Sequence, residues 1–404
     1  MRPPENPSPL AGEGGPRSGS DEGSRTSSTS TDTTPPHLFD PSSVGLRPTP
    51  SPARGEGGLS RRLILTSGLA LAACSREPAL GQPVAEPPLK SLAPFRIGTA
   101  VRAAELTEPA YGDLASRHFS QLTAEWEMKM EYVVQPDGSF RFDRADAIAG
   151  FAQRHGLRLF GHTLVWYANE PEGFVKLDET RQSFEGALRN YITAMVSRYR
   201  GLAVGWDVVN EPVMENGEGL RESLWTRKLG QTGHFRVAFE AAKAADPDAV
   251  LFVNDYHLES RPAKLATYMR LIEQLLKDGV PLGGIGCQTH CWSELAPGAI
   301  TATLRALASF GLPIHLSEMD VSVVQGGAFA NRAEAERRQA RLYAEAIEAF
   351  AALPERQQFA FTVWGLRDRD SWLKRENASD TPLLFDDAGR PKAAFTAVAD
   401  ALRR

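Results

Sequence analysis

Val204-Gly205-Trp206-Asp207-Val208-Val209-Asn210-Glu211-Pro212 is the stretch on which the reading of the fold turns. Val204–Val209 is too short for a helix and lacks the in-out alternation of a half-exposed strand, so it reads as a strand buried on both faces. It ends on an amide, an acid and a proline. Ahead of it, Phe184, Leu188, Tyr191, Ile192, Met195, Val196 and Tyr199 step by threes and fours along one helical face. Behind it, Asp246-Pro247 closes another helical segment.

The same alternation extends outward in both directions. Strand-like runs occur at Phe95–Val101, Phe119–Thr123 and Leu157–Val165, and again at Ala249–Val253, Gly283–Gln288, Pro313–Ser317 and Phe359–Trp364. Helical periodicity fills the intervals, as in Leu265, Tyr268, Met269, Ile272, Leu275 and Leu276 before Gly279-Val280-Pro281. Eight strand–helix units over roughly 310 residues fit one closed α/β barrel, a (β/α)8 TIM barrel forming a single catalytic domain. An open doubly wound sheet is the alternative, but no Gly-rich phosphate loop favours it.

A parallel barrel works at the carboxyl ends of its strands, so the residues that close each run carry the functional signal. Glu125, Trp126 and Lys129 come after the second run, and His162 and Trp166 belong to the third. Asn210-Glu211 ends the fourth and Asn254-Asp255-Tyr256 the fifth. Gln288, His290 and Trp292 come after the sixth, Glu318 and Asp320 after the seventh, and Trp364, Asp368 and Trp372 after the eighth. Taken singly, Asn254 or Asp368 reads as a loop-start polar group. Taken together, the rim sets large aromatics beside carboxylates, as a sugar requires: flat apolar platforms for its CH faces and hydrogen-bonding groups for its hydroxyls.

The 404 residues are 42% hydrophobic and 24% charged with a net charge of −5, so no basic field points to nucleic acid. The composition is uneven: 30 of the first 58 residues are Pro, Gly or Ser, and 1–58 is expected to be disordered. A near-repeat, Pro-Ser-Pro-Leu-Ala-Gly-Glu-Gly-Gly from Pro7 and Pro-Ser-Pro-Ala-Arg-Gly-Glu-Gly-Gly from Pro50, suggests an over-long start. Residues 59–74 read as an export signal, with Arg61-Arg62 before a short apolar run as in a twin-arginine leader. Leu71-Ala72-Ala73-Cys74 is similar to a lipobox, which would place a lipid on Cys74. Residues 75–91 read as a Pro-rich tether and 92–404 as the barrel. The expected setting is periplasmic or cell-surface, with a membrane anchor through Cys74. Cys287 and Cys291 lie too far apart along a strand for a disulfide and read as free thiols; no metal or cofactor is expected, and the protein is expected to be a monomer.

Residues 94–395 resemble glycoside hydrolase family 10, the retaining endo-β-1,4-xylanases. The resemblance rests on an ordered set: Gly161-His162-Thr163-Leu164-Val165-Trp166, Trp206-Asp207-Val208-Val209-Asn210-Glu211, Asn254-Asp255-Tyr256, Gly284-Ile285-Gly286-Cys287-Gln288-Thr289-His290, Leu316-Ser317-Glu318-Met319-Asp320, Thr362-Val363-Trp364-Gly365 and Pro382-Leu383-Leu384-Phe385-Asp386. It implies cleavage of xylan or xylo-oligosaccharides by double displacement, with Glu211 as general acid/base and Glu318 as nucleophile. Asn210, His290 and Asp320 would support them. Glu125, Lys129, His162, Trp166 and Gln288 would line the glycone subsites, Trp364 and Trp372 would roof the cleavage point, and Tyr256 would be a platform on the leaving-group side. The opposed roles require opposed environments: burial beside apolar residues such as Trp206 to keep Glu211 protonated, and a donor such as His290, held by Asp320, to keep Glu318 ionised.

Two positions depart from the family. Trp126 stands where an asparagine usually binds the sugar one unit beyond the cleavage site, and Tyr167 where a histidine is frequent. These touch recognition and leave open decorated xylan, short oligosaccharides or another β-1,4-glycan. Alternatives of other kinds are a barrel that binds glycan without cleaving it, and a phosphate-handling barrel, for which Gly326-Gly327 is the one Gly-rich candidate.

Overall fold

The computed structural model describes residues 86–176, 180–325 and 331–404. The low-complexity stretch, the export signal with Cys74, most of the tether and Gly326-Gly327 lie outside the described residues. Residues 86–91, which the composition assigns to the tether, belong to the folded part: Leu89–Leu92 form one helical turn whose Leu89 is fully buried.

Eight strands form the barrel: β1 (Arg96–Val101), β2 (Gln121–Ala124), β3 (Arg158–Gly161), β4 (Ala203–Asn210), β5 (Val250–Asp255), β6 (Gly284–Cys287), β7 (Ile314–Ser322) and β8 (Gln358–Val363). Each pairs in parallel with its neighbour in sequence, and β8 pairs with both β7 and β1, closing the ring. The helices α1 (Pro109–His118), α2 (Asp143–Arg154), α3 (Arg181–Arg198), α4 (Gly233–Ala245), α5 (Pro262–Lys277), α6 (Ala299–Ala308) and α7 (Arg332–Ala351) make the crossovers, and α8 (Ala393–Leu402) follows β8. The barrel is closed, not doubly wound, because β8 returns to β1.

Strands packed from inside and outside need apolar residues on both faces, which explains the unbroken runs. Inside, Phe160 packs edge to face on Phe252 and Phe359, which lie tilted against each other, and the three rings form a buried cluster within the barrel. Outside, α3 buries Phe184, Leu188, Tyr191, Ile192, Met195 and Val196, the face that the periodicity predicts. The inner face of α5 is rotated from the expected one: Lys264, Thr267, Tyr268, Leu271, Ile272 and Leu275 are buried, whereas Leu276 is exposed. Within this face Lys264 turns its ammonium inward to Asp255 at 2.8 Å, while Leu265 and Met269 stay half-buried against the core.

Close approach sets one glycine on the outer wall. A Cβ on Gly161 would run into the ring of Trp206. Gly161→Ala is therefore expected to cost about 1–3 kcal/mol through overpacking, seen as a lower Tm; an unchanged Tm would show that the indole can shift.

Candidate active site

The chain leaves β4 through Glu211, whose φ of +54° lies in the left-handed region that non-glycine residues rarely adopt. Its backbone N–H donates to the Asn254 carbonyl at 2.7 Å, so the end of β5 fixes this turn. The side chain is fully buried. Oε2 accepts from Trp166 Nε1 at 2.9 Å; Oε1 accepts from Asn210 Nδ2 at 3.0 Å and Gln288 Nε2 at 3.1 Å. Burial raises its pKa above the usual carboxylate range, and the negative charges of Asp255 and Glu318 add to this against the donors Gln288 and Trp166.

Glu318 lies within β7. Its Oε1 accepts from Asn254 Nδ2 at 2.8 Å, and its Oε2 stands 3.5 Å from His290 Nε2. Burial again pushes the pKa up, but the charge of His162, the contact with His290 and the charge of Lys129 outweigh it, leaving Glu318 below its ordinary value. His290 can supply that charge. Burial disfavours its protonated form, yet Asp320 at 2.9 Å from Nδ1, together with Glu318, raises its pKa to about 10. The other oxygen of Asp320 accepts from Trp372 Nε1 at 2.8 Å. Two buried carboxylates thus face the site, Glu211 just past the end of β4 and Glu318 within β7, one held toward protonation and the other toward ionisation.

Asn254, which taken singly reads as a loop-start polar group, joins the two halves. Its Nδ2 faces Glu318 Oε1 at 2.8 Å and Asn210 Oδ1 at 2.9 Å, while its Oδ1 accepts from Ser317 Oγ at 2.8 Å. An unbroken relay of amides therefore runs from Glu318 through Asn254 and Asn210 to Glu211. Gly286 makes room for it, since a Cβ there would collide with Asn254 Oδ1. Asp368, by contrast, has a structural role, bound to Lys392 at 2.9 Å and to the Leu383 N–H at 2.8 Å.

The other residues named from sequence mostly gather around this centre. His162 contacts Asp207 at 2.8 Å, stands 3.9 Å from Glu318 Oε1 and meets Trp364 edge to face. Lys129 lies over the Trp166 ring at 4.7 Å, and Trp372 packs edge-on to His290. Glu125 is buried, reached by Arg375 at 3.3 Å and Arg102 at 3.6 Å. Trp126 is half-buried with both guanidiniums over its ring, Arg102 at 5.1 Å and Arg375 at 4.9 Å, and Tyr132 stacked beside it.

Two expectations are corrected. Tyr256 has no open face for a sugar: it is fully buried, its hydroxyl accepts from Arg221 at 2.7 Å and its ring carries the Lys264 ammonium at 3.4 Å. Arg221 itself lies over the ring of half-buried Tyr167 at 4.2 Å. Trp206 does not enclose Glu211 but packs on Gly161 and Tyr199, on the outer side of the wall; Trp166 is the indole that meets the acid. Cys287 and Cys291 are free and buried, Cys287 donating to Glu259 at 3.0 Å. Among the described residues, His162, Asp207 and Glu318 bring one potential metal-ligand atom each within 4.8 Å of one another. Asp207 meets His162 at 2.8 Å and Asn254 at 3.4 Å, and Glu318 meets Asn254 at 2.8 Å and His290 at 3.5 Å, so each already has a hydrogen-bonding or ionic partner in the site.

Comparison with known proteins agrees with this geometry. A family model described as "Glycosyl hydrolase family 10" matches residues 89–401. "Exoglucanase XynX" of Acetivibrio thermocellus is 36% identical over 321 residues, 76% of this chain and 28% of that protein. "Endo-1,4-beta-xylanase A" of Thermoanaerobacterium saccharolyticum is likewise 36% identical over 76% of this chain, but 27% of its own length. The chain thus spans little more than a quarter of these two relatives. It spans 91% of "Endo-1,4-beta-xylanase A" of Caldicellulosiruptor saccharolyticus, at 34% identity over 74% of this chain. Among solved structures, native xylanase 10B from Thermotoga maritima superposes with a TM-score of 0.71 at 31% identity, covering 78% of this chain and 98% of that one. With the match running through every barrel strand and both buried glutamates, the chain belongs to glycosyl hydrolase family 10.

Proposed function

We propose that this protein is an endo-acting retaining β-1,4-xylanase. The observation that carries the reading is the pair of buried carboxylates, Glu211 held toward its protonated form and Glu318 toward its anion, joined through Asn254 and Asn210. Glycoside cleavage through an oxocarbenium-like state with retention needs such a pair. Glu318 attacks the anomeric carbon while Glu211 gives its proton to the departing oxygen, leaving a glycosyl ester on Glu318. Glu211, now ionised, then takes a proton from water, which displaces Glu318 and restores the anomeric configuration. Asn210, positioned by Asn254, meets the 2-hydroxyl of the sugar being cleaved. Gln288 keeps an unpartnered buried Oε1 available to accept from a hydroxyl, and Trp364 and Trp372 cover the sugar.

The test is chromatography of products from linear xylan, carboxymethylcellulose and xylo-oligosaccharides, with Glu318→Ala as control. Xylo-oligosaccharides from xylan, absent in the control, support the reading. Release from carboxymethylcellulose alone would replace it with a glucanase, in keeping with the name of one relative.

The arginine-flanked Trp126 favours a second reading within the same chemistry, an enzyme that trims short oligosaccharides. An indole held by Arg102, Arg375 and Tyr132 offers no amide to the second glycone unit. Trp126→Asn is expected to lower KM for xylotriose and longer substrates several-fold with little change in kcat, since an added hydrogen bond is worth about 1 kcal/mol. An unchanged KM would count against any role for Trp126 in the subsite.

Export and anchoring rest on sequence: the arginine pair before an apolar run and the lipobox-like Leu71–Cys74. A lipid at Cys74 would set the catalytic domain at a membrane surface, where it suits imported oligosaccharides better than insoluble wall. Among the described residues, no helix is long and apolar enough to cross a membrane. Radioactive palmitate is expected to label the wild type and not Cys74→Ala; an unlabelled wild type removes the lipid claim.

A further inference from the structure

Beside the acid/base lies a buried ion pair that takes no part in the two displacement steps. Asp255, at the end of β5, and Lys264, on α5, are both fully buried, with Nζ 2.8 Å from Oδ1. Lys264 also lies 3.6 Å from Glu215. Taking two charges out of water costs several kcal/mol per ion before attraction offsets it, so such a pair is weak evidence for stability. Its contacts point to the active site. Asp255 Oδ2 accepts from the Val213 N–H at 3.0 Å, two residues beyond Glu211, and Oδ1 accepts from the Tyr256 N–H at 2.9 Å. The main chain around Glu211 is thus held on both sides by β5: the Asn254 carbonyl takes the Glu211 N–H, and the Asp255 carboxylate takes that of Val213. Glu211 keeps a positive φ between these two bonds.

We propose that Asp255, compensated by Lys264, is a positioning residue for Glu211: it locks the turn that aims the general acid and keeps an anion beside it. This rests on the reading of Glu211 as acid/base. The charged groups around Glu211 are Asp255 from β5, Glu318 from β7 and Arg221 from the loop after β4. Those around Asp255 are Lys264 on α5, Tyr268 also on α5, and Arg221. The anion at 255 acts on Glu211 in the same direction as Glu318 and ahead of it. An anion nearby makes Glu211 hold its proton to higher pH, as a general acid must.

Two readouts separate positioning of an acid from plain structural support. An activated aryl leaving group departs without a proton, whereas a sugar leaving group requires one. Asp255→Asn is expected to lower kcat/KM for xylotetraose at least about tenfold more than kcat/KM for 2,4-dinitrophenyl xylobioside. It should also move the alkaline limb of the oligosaccharide profile down, by up to about one pH unit. Equal losses on both substrates, or a stationary limb, overturn the proposal. If Asp255→Asn fails to fold because Lys264 is left unpaired, Asp255→Asn/Lys264→Met removes both buried charges and must still show the leaving-group split and the lowered limb. Glu211→Ala, run in parallel, must show the split at full size; if it does not, the acid/base reading itself fails, whatever Asp255 does.

Discussion

Glu318→Ala is expected to yield a folded protein whose kcat/KM on xylo-oligosaccharides is lower by on the order of 10⁵-fold, a loss of about 7 kcal/mol of transition-state stabilisation. The size reflects the loss of the covalent step. Without the carboxylate no glycosyl ester can form, and the remaining groups can only stabilise charge around an undisplaced sugar. The fold should survive, because Glu318 makes no backbone hydrogen bond through its side chain; its partners are Asn254 at 2.8 Å and His290 at 3.5 Å. His290 keeps its pairing with Asp320. A mechanism-based fluoro-sugar should add its glycosyl mass to the wild type and nothing to the variant. Activity within tenfold of wild type, or a labelled variant, would move the nucleophile elsewhere. The pH profile carries the same assignment. Glu318 is held below its ordinary pKa and Glu211 above it, so activity should fall on the acid side as Glu318 gains a proton and on the alkaline side as Glu211 loses one.

The barrel was legible because its eight strands are short apolar runs and most of them are closed by a polar residue, and both properties are local. The direction in which side chains point was not legible once a strand is irregular. Asp207 and Asn210 lie three apart and should face opposite ways along a regular strand, yet both reach Asn254, at 3.4 and 2.9 Å. A register shift between Asp207 and Val209 against β5 resolves the parity. Placing Trp206 beside Glu211 failed for the same kind of reason, since position on a strand does not say which side of the wall an indole takes. Tyr256 misled differently: its motif suggests a platform, but Lys264 and Arg221 enclose it, and both lie away from it in sequence. Asn254 was undervalued because its importance is relational. One amide at a strand end is ordinary, and only the register Asn210↔Asn254↔Gly286 shows that it lies between two carboxylates.

Glu211→Ala is expected to behave unlike the nucleophile variant, and the difference is the stronger test of the mechanism. Loss of a general acid costs about 10²–10⁴-fold where the leaving group needs a proton, so xylo-oligosaccharide cleavage should fall by that amount and lose its alkaline limb. With an activated aryl xylobioside the first step should persist, because the phenolate leaves unaided. The glycosyl ester on Glu318 should then accumulate, since no base remains to activate water. Azide is already an anion and needs no base. Added to Glu211→Ala, it should restore turnover and yield the β-xylobiosyl azide, because attack on the ester inverts a centre that Glu318 has already inverted once. An α-azide would indicate direct displacement and a single inversion. Absence of rescue would mean that the slow step is not deprotonation of water, and Glu211 would lose its second role. The wild type should show no azide effect, because Trp166, Asn210 and Gln288 keep the Glu211 carboxylate engaged and an incoming anion would meet its charge. Rescue in the variant and not in the wild type would thus locate both the acid and the base at one carboxylate.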